Sequence, residues 1–506
     1  MTQLARARVA IIGTGFSGLG MAIRLKQAGI TDFVVLERAG EVGGTWRDNT
    51  YPGAACDVPS HLYSFSFAPN PHWRHSFSAQ PQIQEYLRDC ASRFGVRPHI
   101  EFDAAVRESR WDDDERVWRM QTTRGEVVAD VLIAGVGGLS EPAWPDLPGL
   151  STFAGAVFHT AQWRHDHDLA GERVAVVGTG ASSVQVVPEI QPVVAQLDVY
   201  QRTAPWIIPR VNRTIRPAEQ RLYAWLPLLQ RLVRASIYWS HETYVLGLTR
   251  RPRLTRVAER VARRQLAAQV RDPDLRARLT PDYALGCKRV VISTNYYPAL
   301  TKPNVELVTA GIREVRPHSI VTVDGEERRT DTIVLGTGFH VTDVPAAHHI
   351  RGRGGLLLAD AWRDGASAYA GCAVAGFPNF FMLTGPNTGL GHTSMVVMIE
   401  AQVGYVVEAL RTMTREGWAT VEVRPAAQRA WTDAIQARMP RTVWSTGGCR
   451  SWYLDEHGRN TTLWPTFTFT FQRRVRRFDP AAYDVRPQPA TLAQVASDSS
   501  SQRAAG

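Results

Sequence analysis

Short runs of consecutive apolar residues recur along this chain, and several stop at a glycine. Such runs mark strands covered on both faces, as in parallel sheets flanked by helices. The first reaches from Arg8 to Ile12. It is followed by the turn GTGFSGLG, by MAIRLKQAG, which predicts a helix closed at Gly29, and by the strand FVVLE. The same order returns at Arg173–Val177, with a turn from Gly178 to Ser183 and a strand LDVYQ. VLIAG (131–135) predicts a strand that leaves through a Pro-rich segment, and TIVLGTGF (332–339) a strand and turn closing the later unit. Asp112–Glu115 lies between two Trp-bearing strands and predicts a hairpin loop. From Phe377 the pattern reads strand, Gly-Pro-Asn turn, long helix, and residues 211–283 read as a helical insertion. From about Arg486 the Pro, Ala, Ser and Gln content predicts a disordered tail.

The two turns carry the chemistry. Gly13, Gly15 and Gly18, with Phe16 and Ser17 between them, form GxGxxG inside a complete strand-turn-helix-strand frame, and Glu37 lies 24 residues beyond Gly13. The first glycine permits the tight turn, the second lets backbone N–H groups reach a pyrophosphate, and the third lets the helix pass closely. The acid then accepts from ribose hydroxyls. In the second turn, Gly178, Thr179, Gly180, Ala181, Ser182 and Ser183, the third glycine is a serine. Arg202, followed by Thr203, stands where the first unit has its acid. An arginine there suits a 2′-phosphate. Opposite charges at matching positions imply two different nucleotides, most economically FAD first and NADP second. The predicted class is α/β, with two Rossmann-like dinucleotide-binding domains and a helical insertion.

Length agrees, since 506 residues exceed what one core supports. The five cysteines, at 56, 90, 287, 372 and 449, include no CxxC pair. This odd, scattered set argues against a disulfide framework, a zinc site or a dithiol centre, and fits a reducing cytoplasm. Cys56 and Cys287 read as small packing residues. The N-terminus lacks the features of a signal peptide, and no apolar run reaches the roughly 18 residues of a membrane span. The net charge of +10 is concentrated: residues 250–278 hold ten arginines. They read as a solvated helical face, with no recognised nucleic-acid module beside them. The apolar LYAWLPLLQRLV that precedes them permits weak peripheral membrane contact and no stable insertion. His165-Asp-His167-Asp reads as a solvated turn, so no metal is expected.

In this order the segments resemble the type I Baeyer–Villiger monooxygenases, a branch of the class B flavoprotein monooxygenases. Phe153, Gly155, His159 and Trp163 match that family's Phe-x-Gly-x-x-x-His-x-x-x-Trp fingerprint, while Arg164 stands where Pro or Asp is usual. GGTWRDNTYPGAACD (43–57) and GCKR (286–289) are further signatures, and Gly-Val-Gly at 135–137 departs from the commoner Ala-Thr-Gly. The resemblance implies NADPH- and O2-dependent conversion of a ketone to an ester or lactone through a C4a-peroxyflavin, with sulfoxidation as a possible side activity. The alternative is N- or S-oxygenation by a flavin-containing monooxygenase. A disulfide reductase is disfavoured by the missing dithiol.

By the same resemblance Arg289 is the active-site cation and Asp57 its partner, while His159 is a pivot in the connector between the nucleotide domains. Lys288 shares the 2′-phosphate with Arg202. Arg38, Gly44, Thr45 and Asn387 line the flavin site, and Trp46 and Tyr63 lie near the flavin or the nicotinamide, or in the core. The implied FAD domain is 1–147 with 376–485, and the NADP domain is 148–210 with 284–375. The insertion is 211–283 and the tail 486–506. The aromatic segment Trp444–Phe471 is expected to help line an apolar ketone pocket.

Overall fold

The computed structural model describes residues 3–250 and 252–487. Its first sheet is mixed. The strands Gly125–Ala134, Gln3–Ile12, Phe33–Leu36 and Ile100–Glu101 run parallel in that spatial order, and Val106–Asp112 and Val117–Thr122 extend the sheet as an antiparallel meander. Gly125–Ala134 changes partner along its length. Its first half pairs with Val117–Thr122, and Leu132–Ala134 takes Phe380–Met382 in parallel. The chain from Phe377 therefore returns to the sheet that the N-terminus began. The first strand starts at Gln3, five residues before the expected Arg8, because Gln3–Ala7 pair with Glu126–Ala129 although their side chains do not read as an apolar run.

The second sheet is wholly parallel, in the order Val305–Val308, Gln196–Tyr200, Arg173–Val177, Thr332–Leu335, Ala156–His159. Its buried pattern is continuous in the central strands, as expected of strands covered on both faces. Within the segment from Phe153, Ala156–His159 is the edge strand of this sheet, with His159 paired opposite Leu335. Gly155 is required there: a Cβ would strike the Asp331 carbonyl and the Phe153 ring. Trp163 packs edge-on to Phe158, with centroids 5.1 Å apart. Arg164 makes an exposed ion pair with Asp166 at 2.8 Å, a contact of little energetic weight.

Residues 211–283 are mainly helical, with helices Pro217–Trp225, Pro227–Glu242, Thr255–Gln269 and Pro273–Arg278. Their stem is the short pair Ile207–Ile208 against Val291–Ile292. The long helix Met395–Glu416 is capped by Ser394 and ended by Gly417 at φ 67°. No helix among the described residues is long and apolar enough to cross a membrane.

Two expectations are corrected. Arg486 and Pro487 are not tail: they end the strand Tyr483–Pro487, which pairs with Trp418–Val423. The rest of the expected tail, 488–506, lies outside the described residues. Cys287 is not a packing thiol but is disulfide-bonded to Cys449, so the odd, scattered cysteine set does include a disulfide, against expectation. The fold brings together cysteines 162 residues apart, a pairing that local spacing cannot reveal. Cys56, Cys90 and Cys372 are free and buried.

Candidate active site

The first glycine turn is shaped by what its glycines exclude. Gly13 sits at φ 92° and donates its N–H to Leu36. A Cβ on Gly18 would drive into the Gly13 carbonyl, so the helix Phe16–Gln27 can pass only over a bare Cα. Gly15 has no atom closer than the Gly44 Cα, 3.8 Å from where its Cβ would stand. A phosphate fits that clearing, facing the N-terminus of the helix that buries Phe16 and Ser17. Gly180 in the second turn has nothing within 4 Å. There the departure from GxGxxG is compensated on the neighbouring strand end. Ser183 is fully buried, and a Cβ on Gly336 would collide with its hydroxyl. The serine is therefore accommodated by the absence of a side chain opposite.

Glu37 is 2% exposed and already engaged. It accepts from the Thr14 N–H (3.0 Å) and hydroxyl (2.5 Å), the Ala39 N–H (3.0 Å) and Arg47 Nη1 (2.7 Å). A ribose hydroxyl must displace one of these, and Thr14 and Arg47 are site residues that the sequence reading passed over. Arg38 is exposed, paired with Glu141 and, at 3.5 Å, with Asp48. Gly44 caps the short helix Thr45–Asp48 from φ 53°. The Trp46 indole donates to the Tyr63 hydroxyl at 3.0 Å, and Tyr63 stands edge-on to Phe16.

Asn387 ties two loops together. Its amide donates to the carbonyls of Asn460 (2.9 Å) and Leu463 (3.1 Å), pinning one loop to another. It occupies φ 56°, a conformation asparagine tolerates well. The helix expected to begin just after it starts only at Met395. In the aromatic segment Trp444, Tyr453, Trp464 and Phe471 are buried, whereas Trp452 and Phe469 are exposed.

Between the two turns the chain brings opposite charges together. Arg289 donates through Nε (2.9 Å) and Nη2 (2.5 Å) to a single oxygen of Asp57, across 232 residues of sequence. The Asp57 charge, working against burial, raises the guanidinium further above its ordinary value. The arginine side chain nevertheless remains 40% accessible, so it faces open space while held from behind. Its loop is anchored: Cys287 N–H donates to Ala284, Ala284 to Gly447, and the disulfide ties Cys287 to Cys449. Tyr453 is buried nearby. Burial pushes its phenol up to about 12, against the opposing pull of Arg289.

One residue further along the loop, Lys288 lies 5.1 Å from the Tyr283 ring centroid. Burial, and then the like charge of Arg202, push its ammonium down. Neither Lys288 nor Arg202 has an ion pair among the described residues. Thr179 bonds the Thr203 carbonyl at 3.1 Å and holds Arg202's loop on the second turn. Asp282 opposes the shift of Lys288 without forming an ion pair among the described residues, and two neighbouring cations so placed make a site for an anion with several oxygens.

Gln185, unnoticed in the sequence, couples the halves. From the helix Ala181–Ile190 it accepts from the Tyr51 hydroxyl (2.9 Å) and donates to the Ala55 carbonyl (3.0 Å), so the Tyr-Pro-Gly run carrying Asp57 rests on the second nucleotide helix. Nothing local distinguishes this glutamine from a solvated one. Among the described residues no group of His, Cys, Asp and Glu could hold a metal. His165 instead bonds Thr50, and His167 bonds Thr332 and Glu172.

His159 is fully buried, and its Nδ1 accepts from the Ala161 N–H at 3.1 Å. Burial lowers its pKa to about 4, with the Gly338 backbone opposing. The ring is therefore neutral at pH 7. An unfolded histidine takes its proton near 6.5, so between about 6.5 and 4 the unfolded chain holds more protons, and this contribution to stability falls as pH drops. We expect His159→Gln to flatten that fall. Between pH 7 and pH 5 the wild type loses about 1–2 kcal/mol more than the variant, measured by urea unfolding.

A profile of the pyridine nucleotide-disulphide oxidoreductases matches residues 10–226. The chain is 53% identical over 493 residues to a Baeyer–Villiger monooxygenase of Streptomyces coelicolor, covering 97% of this chain and 95% of that protein. It is 49% identical over 484 residues to a Baeyer–Villiger monooxygenase of Pseudomonas aeruginosa, covering 95% and 92%. Among solved structures, OTEMO in complex with FAD and NADP superposes with a TM-score of 0.86 at 27% identity, covering 95% of this chain and 99% of that one.

Proposed function

The chain belongs to the Baeyer–Villiger monooxygenases, and from that premise we propose that it uses FAD, NADPH and O2 to convert a ketone into an ester or lactone. FAD belongs to the first turn, on the sheet built from 1–147 and 376–485. NADPH belongs to the second, on the sheet whose strands lie within 148–210 and 284–335, with 211–283 inserted between. Of the expected second part and linker, 284–375, Ile350–Arg351 pairs instead with Val106–Asp112 of the first sheet. With NADPH as reductant the reaction is a cytoplasmic one. Bound FAD, reduced by NADPH, supplies the activation of oxygen.

The chain's own residues bind, orient and supply charge. The clearings over Gly15 and Gly180 admit the two pyrophosphates, and Glu37 takes the FAD ribose once Thr14 or Arg47 yields. Arg202 and Lys288 take the 2′-phosphate of NADPH. Arg289, fixed from behind by Asp57, offers a permanent positive charge to the negative charge that builds on the ketone oxygen during oxygen transfer. One observation carries this reading: a guanidinium locked on a carboxylate, yet open on its other side, on the same loop as an anion-ready lysine.

The disulphide-reductase chemistry in the profile's description does not follow from the match. The matched stretch contains only Cys56 and Cys90, both buried, free and pushed up by burial away from thiolate. The test is product analysis of the purified yellow protein with NADPH and a panel of ketones and one thioether. Ester or lactone from at least one ketone is expected. Sulfoxide with no ester from any ketone overturns the proposal in favour of heteroatom oxygenation.

A further inference from the structure

The helix Pro227–Glu242 is apolar on two faces, and Leu229, Val233, Ile237 and Tyr238 pack its inner face against the core. Its inner face carries polar anchors: Arg234 donates to the carbonyls of His61 (2.8 Å) and Leu62 (3.0 Å), Gln230 donates to that of Asn70 (2.6 Å), and Glu242 accepts the Thr468 N–H (3.1 Å). Its outer face repeats Leu228, Leu232, Ala235 and Trp239, at the spacing of a single helical stripe. The stripe continues into Trp225 and Leu226 at the end of the preceding helix and, through a 5.9 Å ring contact with Trp239, into Phe469. Trp225 is 80% exposed and Leu228 68%. Scattered exposed leucines are ordinary, but a helix that already packs one apolar face on the core and presents a second, continuous apolar stripe to solvent is built to meet an apolar phase.

The charge around the stripe says which phase. Arg221, Arg231 and Arg250 are exposed and have no ion pair among the described residues; Arg250 lies over the Phe467 ring at 5.2 Å. The only acids from 217 to 250 are engaged, Glu219 by Arg213 and Tyr223, and Glu242 in the interior. A second copy docked on this face would bring both sets of arginines together, and residues 217–250 offer no free carboxylate to receive them. An anionic bilayer surface pairs with the arginines and takes the apolar side chains between its headgroups.

We propose that the face formed by Trp225, Leu228, Leu232 and Trp239 with Arg221, Arg231 and Arg250 is a docking surface for anionic lipid membranes, with the helix Pro227–Glu242 lying in the interfacial plane. This goes beyond the assignment of the reaction and does not depend on it.

The test is co-sedimentation of the full-length, FAD-loaded protein with phosphatidylcholine vesicles with and without phosphatidylglycerol, in rising salt. Binding is expected only with phosphatidylglycerol and should weaken with salt. Arg221→Ser/Arg231→Ser/Arg250→Ser should bind about a hundredfold more weakly, each basic side chain near an anionic surface being worth roughly fivefold. Leu228→Ser/Leu232→Ser should lose binding while its thermal unfolding and its turnover of a water-soluble ketone stay at wild-type level. Failure to bind phosphatidylglycerol vesicles above the phosphatidylcholine control overturns the proposal. So does a wild-type dimer, seen by light scattering, that the leucine double variant converts to monomer, since the face would then belong to a second copy.

Discussion

Replacing Arg289 with alanine should leave a protein that still holds FAD and still lets NADPH bleach its flavin, yet makes ester or lactone about a hundredfold to a thousandfold more slowly. The guanidinium touches neither glycine turn, so removing it should disturb neither nucleotide cradle. What it removes is a charge fixed before the substrate arrives. Asp57 receives both Nε and Nη2, which fixes the plane of the guanidinium, and the 40% of the side chain still accessible is the part that can meet a substrate oxygen. Arg289→Lys separates charge from placement. A lysine keeps the charge but cannot bond one carboxylate through two nitrogens while presenting a third, so it should recover only part of the rate. Stopped-flow absorbance follows flavin reduction, and gas chromatography follows product. Product formation by Arg289→Ala near the wild-type rate, with reduction intact, would remove the role assigned to Arg289.

The residues that prove locally indispensable were legible in the sequence for a physical reason. Gly13, Gly18 and Gly178 announce themselves because only glycine survives a positive φ or a carbonyl pressed against its Cα, and such demands are written in a few adjacent positions. Parallel strands such as Arg173–Val177 are legible because burial on both faces leaves an unbroken apolar run. What stayed hidden is what depends on distant pieces of chain. Gln185 clamps the Tyr-Pro-Gly run only because the fold lays that run on its helix, and Cys287 meets Cys449 only across 162 residues. Asn387 was legible as a turn residue, but its clamp on the loop at Asn460–Leu463 was not, since that loop lies at least 73 residues away. Large apolar side chains suit a core and a ligand pocket equally, so the burial of Trp444, Tyr453 and Trp464 could not be read from their composition.

Arg202→Gln should raise the KM for NADPH about tenfold to a hundredfold and leave the KM for NADH nearly unchanged, because a hydrogen bond to a charged group is worth roughly 1.5–3 kcal/mol. Lys288→Met should act in the same direction, and the two changes should not simply add. In the free protein each cation raises the cost of the other, which is why Arg202 depresses the Lys288 ammonium. Removing either relieves that repulsion and returns part of the loss, but the repulsion can be relieved only once, so the double variant should bind NADPH more weakly than the product of the two single effects predicts. This coupling discriminates a shared phosphate site from two independent surface charges. Lys288 also stands next to Arg289 in sequence, so its variant needs a control: ester formed per NADPH consumed should stay at the wild-type value when NADPH is saturating. Steady-state kinetics with both nicotinamides on all four proteins supply every number. Equal loss for NADPH and NADH in Arg202→Gln would mean that the arginine holds the shared part of the two cofactors, and the 2′-phosphate would then have to be recognised elsewhere.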